Sequence, residues 1–317
     1  MGPSRVRAMA ARRKTVAVGH RGKPLTGRGA RRPRRRMESH AGLTTLERFA
    51  RAVDRPDPEI DLAEAALLIA TDAYADLDVG HYLHILDEIA EPLEVRLPEG
   101  ALLPDLLDAL NGHLFGELGF FGNAEHYYEP QNSYLNEVLD RRRGIPISLS
   151  VVYMEVARRI RLEVVGIGLP GHFIVEARRA DASALLDPFH GGESLTLEDC
   201  ERLVSEVYGG TVPFAEEYLV PVTKRQILGR ILKNLKMIYL NEGNAESAWP
   251  VVEKMVHLDP DSPVDRRDRG LLAHGRNLFP LARSDLRFYL DRRPDAPDRA
   301  SIQASLAAVE AILSMLG

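Results

Sequence analysis

Two short segments of this 317-residue chain carry the residue types that acyl-transfer chemistry needs. Pro170-Gly171-His172-Phe173 offers an imidazole that can act as a base, and Leu186-Asp187-Pro188 offers a carboxylate that can orient it. A nucleophile at the start of the helix Arg143-Gly144-Ile145-Pro146-Ile147-Ser148-Leu149-Ser150 would complete the set. A thiol there would be activated by the helix dipole and by free backbone N–H groups. Pro146 holds that position instead, 26 residues before His172. Proline suits a first helical turn because its missing N–H would have gone unpaired. It can neither attack a carbonyl nor be activated by a base.

Two hydroxyls follow it. At about 100° per residue, Ser148 is aimed well away from the Pro146 direction, while Ser150 shares nearly the same face about 6 Å further along. Ser150 is therefore the candidate substitute nucleophile; alternatively, both serines are small polar residues packed beneath the strands. Cys200 sits among acids on a predicted helix, a poor setting for a thiolate. His190, in a Pro-Phe-His-Gly-Gly turn, lies close in sequence to Asp187. His113 and His126 show no metal-ligand spacing, and Cys-x-x-Cys, His-Glu-x-x-His and phosphate-binding glycine loops are lacking, so neither metal nor cofactor is expected.

Around these groups the chain falls into distinct segments. Residues 1–37 hold 13 of the 41 Lys and Arg and no acid, leaving 28 bases against 46 acids, a formal −18, in residues 38–317. So acidic a body repels nucleic acid. The basic tail, too poor in apolar residues to fold, reads as a nucleic-acid arm, a targeting peptide or an extension ahead of a start at Met37. One cysteine cannot form an internal disulfide, which favours a reducing cytoplasm. No run approaches 18 uninterrupted apolar residues.

From 38 to 120 the pattern predicts a helical unit. It opens with the capping box Thr44-x-x-Glu47 and continues with helices over 59–75, 79–91 and about 104–117. The core should occupy 121–220. An aromatic loop carries Tyr127 and Tyr128. A helix capped by Asn132 and paired internally through Glu137 and Arg141 ends before Gly144 at C′, and the Pro146 helix comes next. Strands at 162–167, 173–177 and 183–187 then complete an α+β arrangement. Over 221–317, Asp259-Pro260 and Arg293-Pro294 recur 34 residues apart, with Ala248 matching Ala282 and Val252 matching Leu286. That is the tetratricopeptide period, and it predicts two repeats and a capping helix forming a short α-solenoid. Arg266 and Arg269 depart from the repeat's apolar positions, and Pro250 should kink its helix.

Residues Asn132–Ser150, Leu169–Val175 and Leu186–Pro188 together resemble the SirB-type transglutaminase-like family with C-terminal tetratricopeptide repeats, over roughly residues 45–313. The resemblance implies a papain-like core in which Pro146 stands at the nucleophilic cysteine's place, His172 at the base and Asp187 at the orienting acid. The departure at Pro146 from that pattern, with the single cysteine, leads to the expectation of a non-catalytic, cytoplasmic module. Tyr127, Tyr128, Asn132, Asn136, His172, Asp187 and His190 would line a groove for a protein or peptide partner, and the repeats would dock a second one. A retained His–Asp scaffold is compatible with this. The competing expectation is a hydrolase or acyltransferase using His172 and Asp187 with Ser150 or another nucleophile.

Overall fold

The computed structural model describes residues 42–98 and 100–316; the basic segment 1–37 lies outside the described residues. Four helices come first: α1 (Thr45–Val53), α2 (Leu62–Ala70), α3 (Val79–Arg96) and α4 (Leu103–Asn111), the last running into a π-helical turn at Gly112–Glu117. The Thr44–Glu47 capping box forms as the sequence predicts. Helix α3 does not stop at residue 91 but continues through Pro92, giving up one intrahelical bond while Leu86, Ala90 and Leu93 stay buried on one side.

The central region begins with β1 (Phe121–Gly122), which pairs in parallel with β2 (Arg143–Gly144) across helix α5 (Leu135–Arg141). Two local expectations change here. Arg142, not Gly144, takes the left-handed cap of α5 at φ 56°, and Gly144 is spent on the β2 pairing. Asn132 does not cap α5, whose N-cap is Tyr134; its amide instead donates to the carbonyls of His126 (2.7 Å) and Tyr127 (3.3 Å) and closes the aromatic loop on itself. Arg141 pairs with Glu129 at 2.8 Å rather than with Glu137.

Helix α6 (Pro146–Arg159) is the buried spine, with Tyr153 wholly enclosed. An antiparallel sheet follows in the order β3 (Glu163–Ile167), β4 (Ile174–Arg179), β5 (Ala182–Asp187), β6 (Glu193–Leu195). Its period-2 alternation sends Val175 and Ala177 into the main core with α6, and Ile174 into a smaller cluster with Cys200 and Val204 of α7 (Leu197–Tyr208). The sheet is thereby clasped between two helices.

Five helices complete the chain: α8 (Lys224–Asn241), α9 (Ala245–Leu258), α10 (Pro263–Gly275), α11 (Phe279–Arg292) and α12 (Arg299–Leu316). Helix α9 runs unbroken through Pro250. The two arginines that depart from the repeat pattern have a structural reason. Arg269 grips the fully buried Asp285 through two bonds of 2.6 and 3.0 Å, and Arg266 approaches the same carboxylate at 3.7 Å. An ion pair replaces an apolar contact between α10 and α11. Helix α12 has 18 residues and a mean hydropathy of 1.2, by those two measures alone enough to cross a membrane; in the fold its Ile302 and Val309 are buried against the last repeat.

One cluster of buried apolar side chains extends from Phe49 through the sheet to Met255, so the first repeat shares the core of the residues before it. Tyr134 and Tyr239 bond hydroxyl to hydroxyl at 2.7 Å across that junction.

Candidate functional site

The residues of the expected site come from three elements. Pro146 is buried at the first position of α6, whose N-cap is Ile145. Ser148 secures that helix start: its hydroxyl accepts from the Ile145 N–H (3.0 Å) and donates to the Asn132 carbonyl (2.5 Å). Its role is to fix a helix end rather than to support the strands. Helix α6 packs against β4 and the turn Pro188–His190, which carries the acid's end of the sheet.

His172 lies two residues ahead of β4 and Asp187 is the last residue of β5, so the hairpin β4–β5 brings them together at one end. His172 Nε2 and Asp187 Oδ2 are 2.8 Å apart. His190 Nδ1 reaches the same oxygen at 2.7 Å, while Oδ1 accepts the Phe189 backbone N–H at 2.9 Å. Burial alone would push the Asp187 carboxyl up; the bonds from His172 and His190 outweigh it and hold the group well below the usual carboxylate range. Asp187 in turn raises His190 above an ordinary imidazole. His172 Nδ1 makes no hydrogen bond among the described residues.

Two residues that sequence reasoning missed shape this corner. Phe189 makes edge contacts with the rings of His172 (6.1 Å), Tyr127 (6.4 Å) and His190 (5.1 Å). It fits because Gly122 lacks a side chain: a Cβ there would stand 2.5 Å from the Phe189 carbonyl oxygen. Arg230, on α8 of the first repeat, donates to the carbonyls of Leu169 (3.0 Å) and His172 (2.9 Å) and lies over the Phe173 ring at 5.2 Å. The only sequence signal for either would have been an aromatic beside Asp187 and a cation on an apolar helix face. Gly171 makes the His172 turn possible, with φ +72° and a Cβ position already filled by Val207.

The remaining predicted residues fall as follows. Tyr127 is half-buried against Phe189 and Tyr128 is exposed beside it, so an aromatic row leads from the surface to His172. Asn132 and Asn136 are buried. Ser150 is wholly buried on α6 and its hydroxyl has no hydrogen-bond partner among the described residues, His172 included. Cys200 is buried, with its thiol pushed up to about 11 by burial and by the nearby Asp199 and Asp187, an inert thiol. His113 is engaged structurally, at 2.7 Å from Glu117 and 2.9 Å from the Ile89 carbonyl.

Comparison with known proteins agrees with this architecture. The transglutaminase-like superfamily matches residues 80–233, and the tetratricopeptide repeat matches residues 235–307. A UPF0162 protein of Xylella fastidiosa (strain 9a5c) is 40% identical over 241 residues, covering 75% of this chain and 86% of the relative. One from Pseudomonas aeruginosa is 31% identical over 225 residues, 71% of this chain and 82% of its own length. The mouse F-box only protein 21 is 35% identical over 154 residues, 46% of this chain but 24% of that protein. No solved structure matches. Tetratricopeptide repeats generally mediate protein–protein interaction, and with the transglutaminase-like domain they suggest a protein-interaction module. The chain belongs to the UPF0162, SirB-like family of proteins that join a transglutaminase-like domain to C-terminal tetratricopeptide repeats.

Proposed function

We propose that this protein is a non-catalytic, cytoplasmic binding module. Its transglutaminase-like core keeps a base and an orienting acid without a nucleophile and holds a peptide segment along the Tyr128–Tyr127–Phe189–His172 row. The observation that carries this reading is Pro146 at the helix start, where a thiol would need to be, with Ser150 buried one turn beyond and without a hydrogen-bond partner among the described residues. A nucleophile has to reach its base by hydrogen bond. The single cysteine is a poor substitute, because it is buried and burial with Asp199 and Asp187 nearby pushes its thiol up.

The aromatic row suits an extended segment. Tyrosines provide large contact area with little rotamer entropy to lose, and His190 adds a half-exposed polar group at the row's inner end. The repeats provide a second docking face for another partner.

The test is selection from a displayed peptide library, followed by affinity measurement. Tyr128→Ala, at a residue 62% exposed, is expected to leave the melting temperature unchanged while weakening the selected peptides by about tenfold. Equal affinity for the variant, or an adduct on Ser150 after treatment with a serine-directed fluorophosphonate, contradicts the proposal.

A further inference from the structure

We propose that His172 Nε2, Asp187 Oδ2 and His190 Nδ1 form a three-ligand site for a divalent cation of the zinc class, with its fourth position open to solvent beside His190. Residues 15 and 3 positions apart in sequence are gathered here by the β4–β5 hairpin and the turn after it. The three ligand atoms lie within 4.8 Å of one another, and both imidazoles address a single carboxylate oxygen. Two imidazoles with one carboxylate is a donor set suited to zinc and its neighbours. Elsewhere among the described residues, His84, His126 and His257 each sit beside a single carboxylate.

Two of the three ligand separations need only small movements, and the third pair, the two imidazole nitrogens, already lies within 4.8 Å. Ligand atoms about 2.0–2.1 Å from a tetrahedral ion stand about 3.3 Å from each other. The present separations of 2.8 and 2.7 Å must therefore open by about half an ångström. His190 can yield that much. Its side chain is 50% exposed, on a turn closed by Gly191 and Gly192, both in the left-handed region. The other two ligands are anchored from behind. The Phe189 N–H holds Asp187 Oδ1 and leaves Oδ2 to the ion, and Arg230 holds the His172 carbonyl. Outer hydrogen bonds of this kind fix the direction of a ligand and sharpen affinity.

Protons balance without a further partner. Coordination through His172 Nε2 moves that ring's N–H to Nδ1, which carries no hydrogen bond among the described residues. On His190 the N–H moves from Nδ1 to Nε2, and an imidazolium there releases one proton to solvent. The rival occupant of this space is the pair of hydrogen bonds itself, which ties the hairpin end together with no ion. Zinc binding goes beyond the module proposed above and requires no thiol.

The experiment uses the full chain, stripped by chelator and titrated with Zn²⁺ against a chromophoric competitor, beside His190→Ala. The wild type is expected to take one equivalent that His190→Ala binds at least about 100-fold more weakly. Zn²⁺ should raise the melting temperature of the wild type and not of the variant. A second variant, His172→Gln, should lose the same equivalent. Stoichiometry and affinity equal in wild type and His190→Ala, or no binding by the wild type, overturns the site. Because no thiol takes part, failure here leaves the binding-module reading standing, and failure of that reading leaves this result intact.

Discussion

Asp72→Asn is expected to destabilise the protein by about 3–5 kcal/mol, measured as the unfolding free energy by chemical denaturation. The ammonium of Lys254 is 1% exposed on α9, and its salt-bridge partner is the Asp72 carboxylate just beyond α2. Asp72 also accepts the Thr45 hydroxyl at 2.5 Å, and the Lys254 ammonium lies 5.9 Å from the centre of the Phe49 ring. Removing the carboxylate strands a cation that water cannot reach. The reverse change, Lys254→Met, should cost less, because the Asp72 side chain is 14% exposed and keeps Thr45. The double variant should recover much of the loss, since a methionine asks for no counter-charge. A single-site cost under about 1 kcal/mol, the value of an exposed pair, would show that this contact does not hold the first repeat to the N-terminal helices.

Phe173→Ala is the second large effect, at about 3–5 kcal/mol on the same measurement. The ring is 1% exposed, and its Cζ lies 2.6 Å from where a Cβ on Gly166 would stand, so the cavity left behind sits against a strand backbone that cannot collapse into it. The loss should extend to function. Phe173 is next to His172 and carries the Arg230 guanidinium on its face, so truncating it frees the segment that aims the imidazole. Phe173→Leu, nearer in volume, should cost less on both counts.

How far the sequence reveals this molecule depends on how local each cause is. The 34-residue period, the Thr44 capping box and the alternating hairpin are written in near neighbours, and all three appear in the structure. The family's motifs also brought His172 and Asp187 to attention, and the hairpin register joins them. What sequence reasoning missed was set at a distance. Nothing near Arg230 in the chain shows that its guanidinium reaches carbonyls 61 and 58 residues away, and nothing near Lys254 announces a partner 182 residues earlier. Asn132 illustrates competition: helix capping and loop closure both use its amide, and the aromatic loop takes it. Arg269 looked like a flaw in the repeat because its reason, Asp285, lies on the following helix.

In the module proposed above, His172 and Asp187 stay in place and only a nucleophile is lacking. The direct measurement is the rate at which Pro146→Cys reacts with iodoacetamide, in the presence of a chelator, with and without His172→Gln. A thiol at the first turn of α6 gains from the helix dipole, and in the site proposed above His172 would add a base, so it is expected to react at least about tenfold faster than the same thiol in the His172→Gln background. Wild type, whose single Cys200 is buried, should remain unlabelled over the same interval. A Pro146→Cys thiol that reacts no faster with His172 than without it would mean that His172 is not placed to activate a nucleophile at that position.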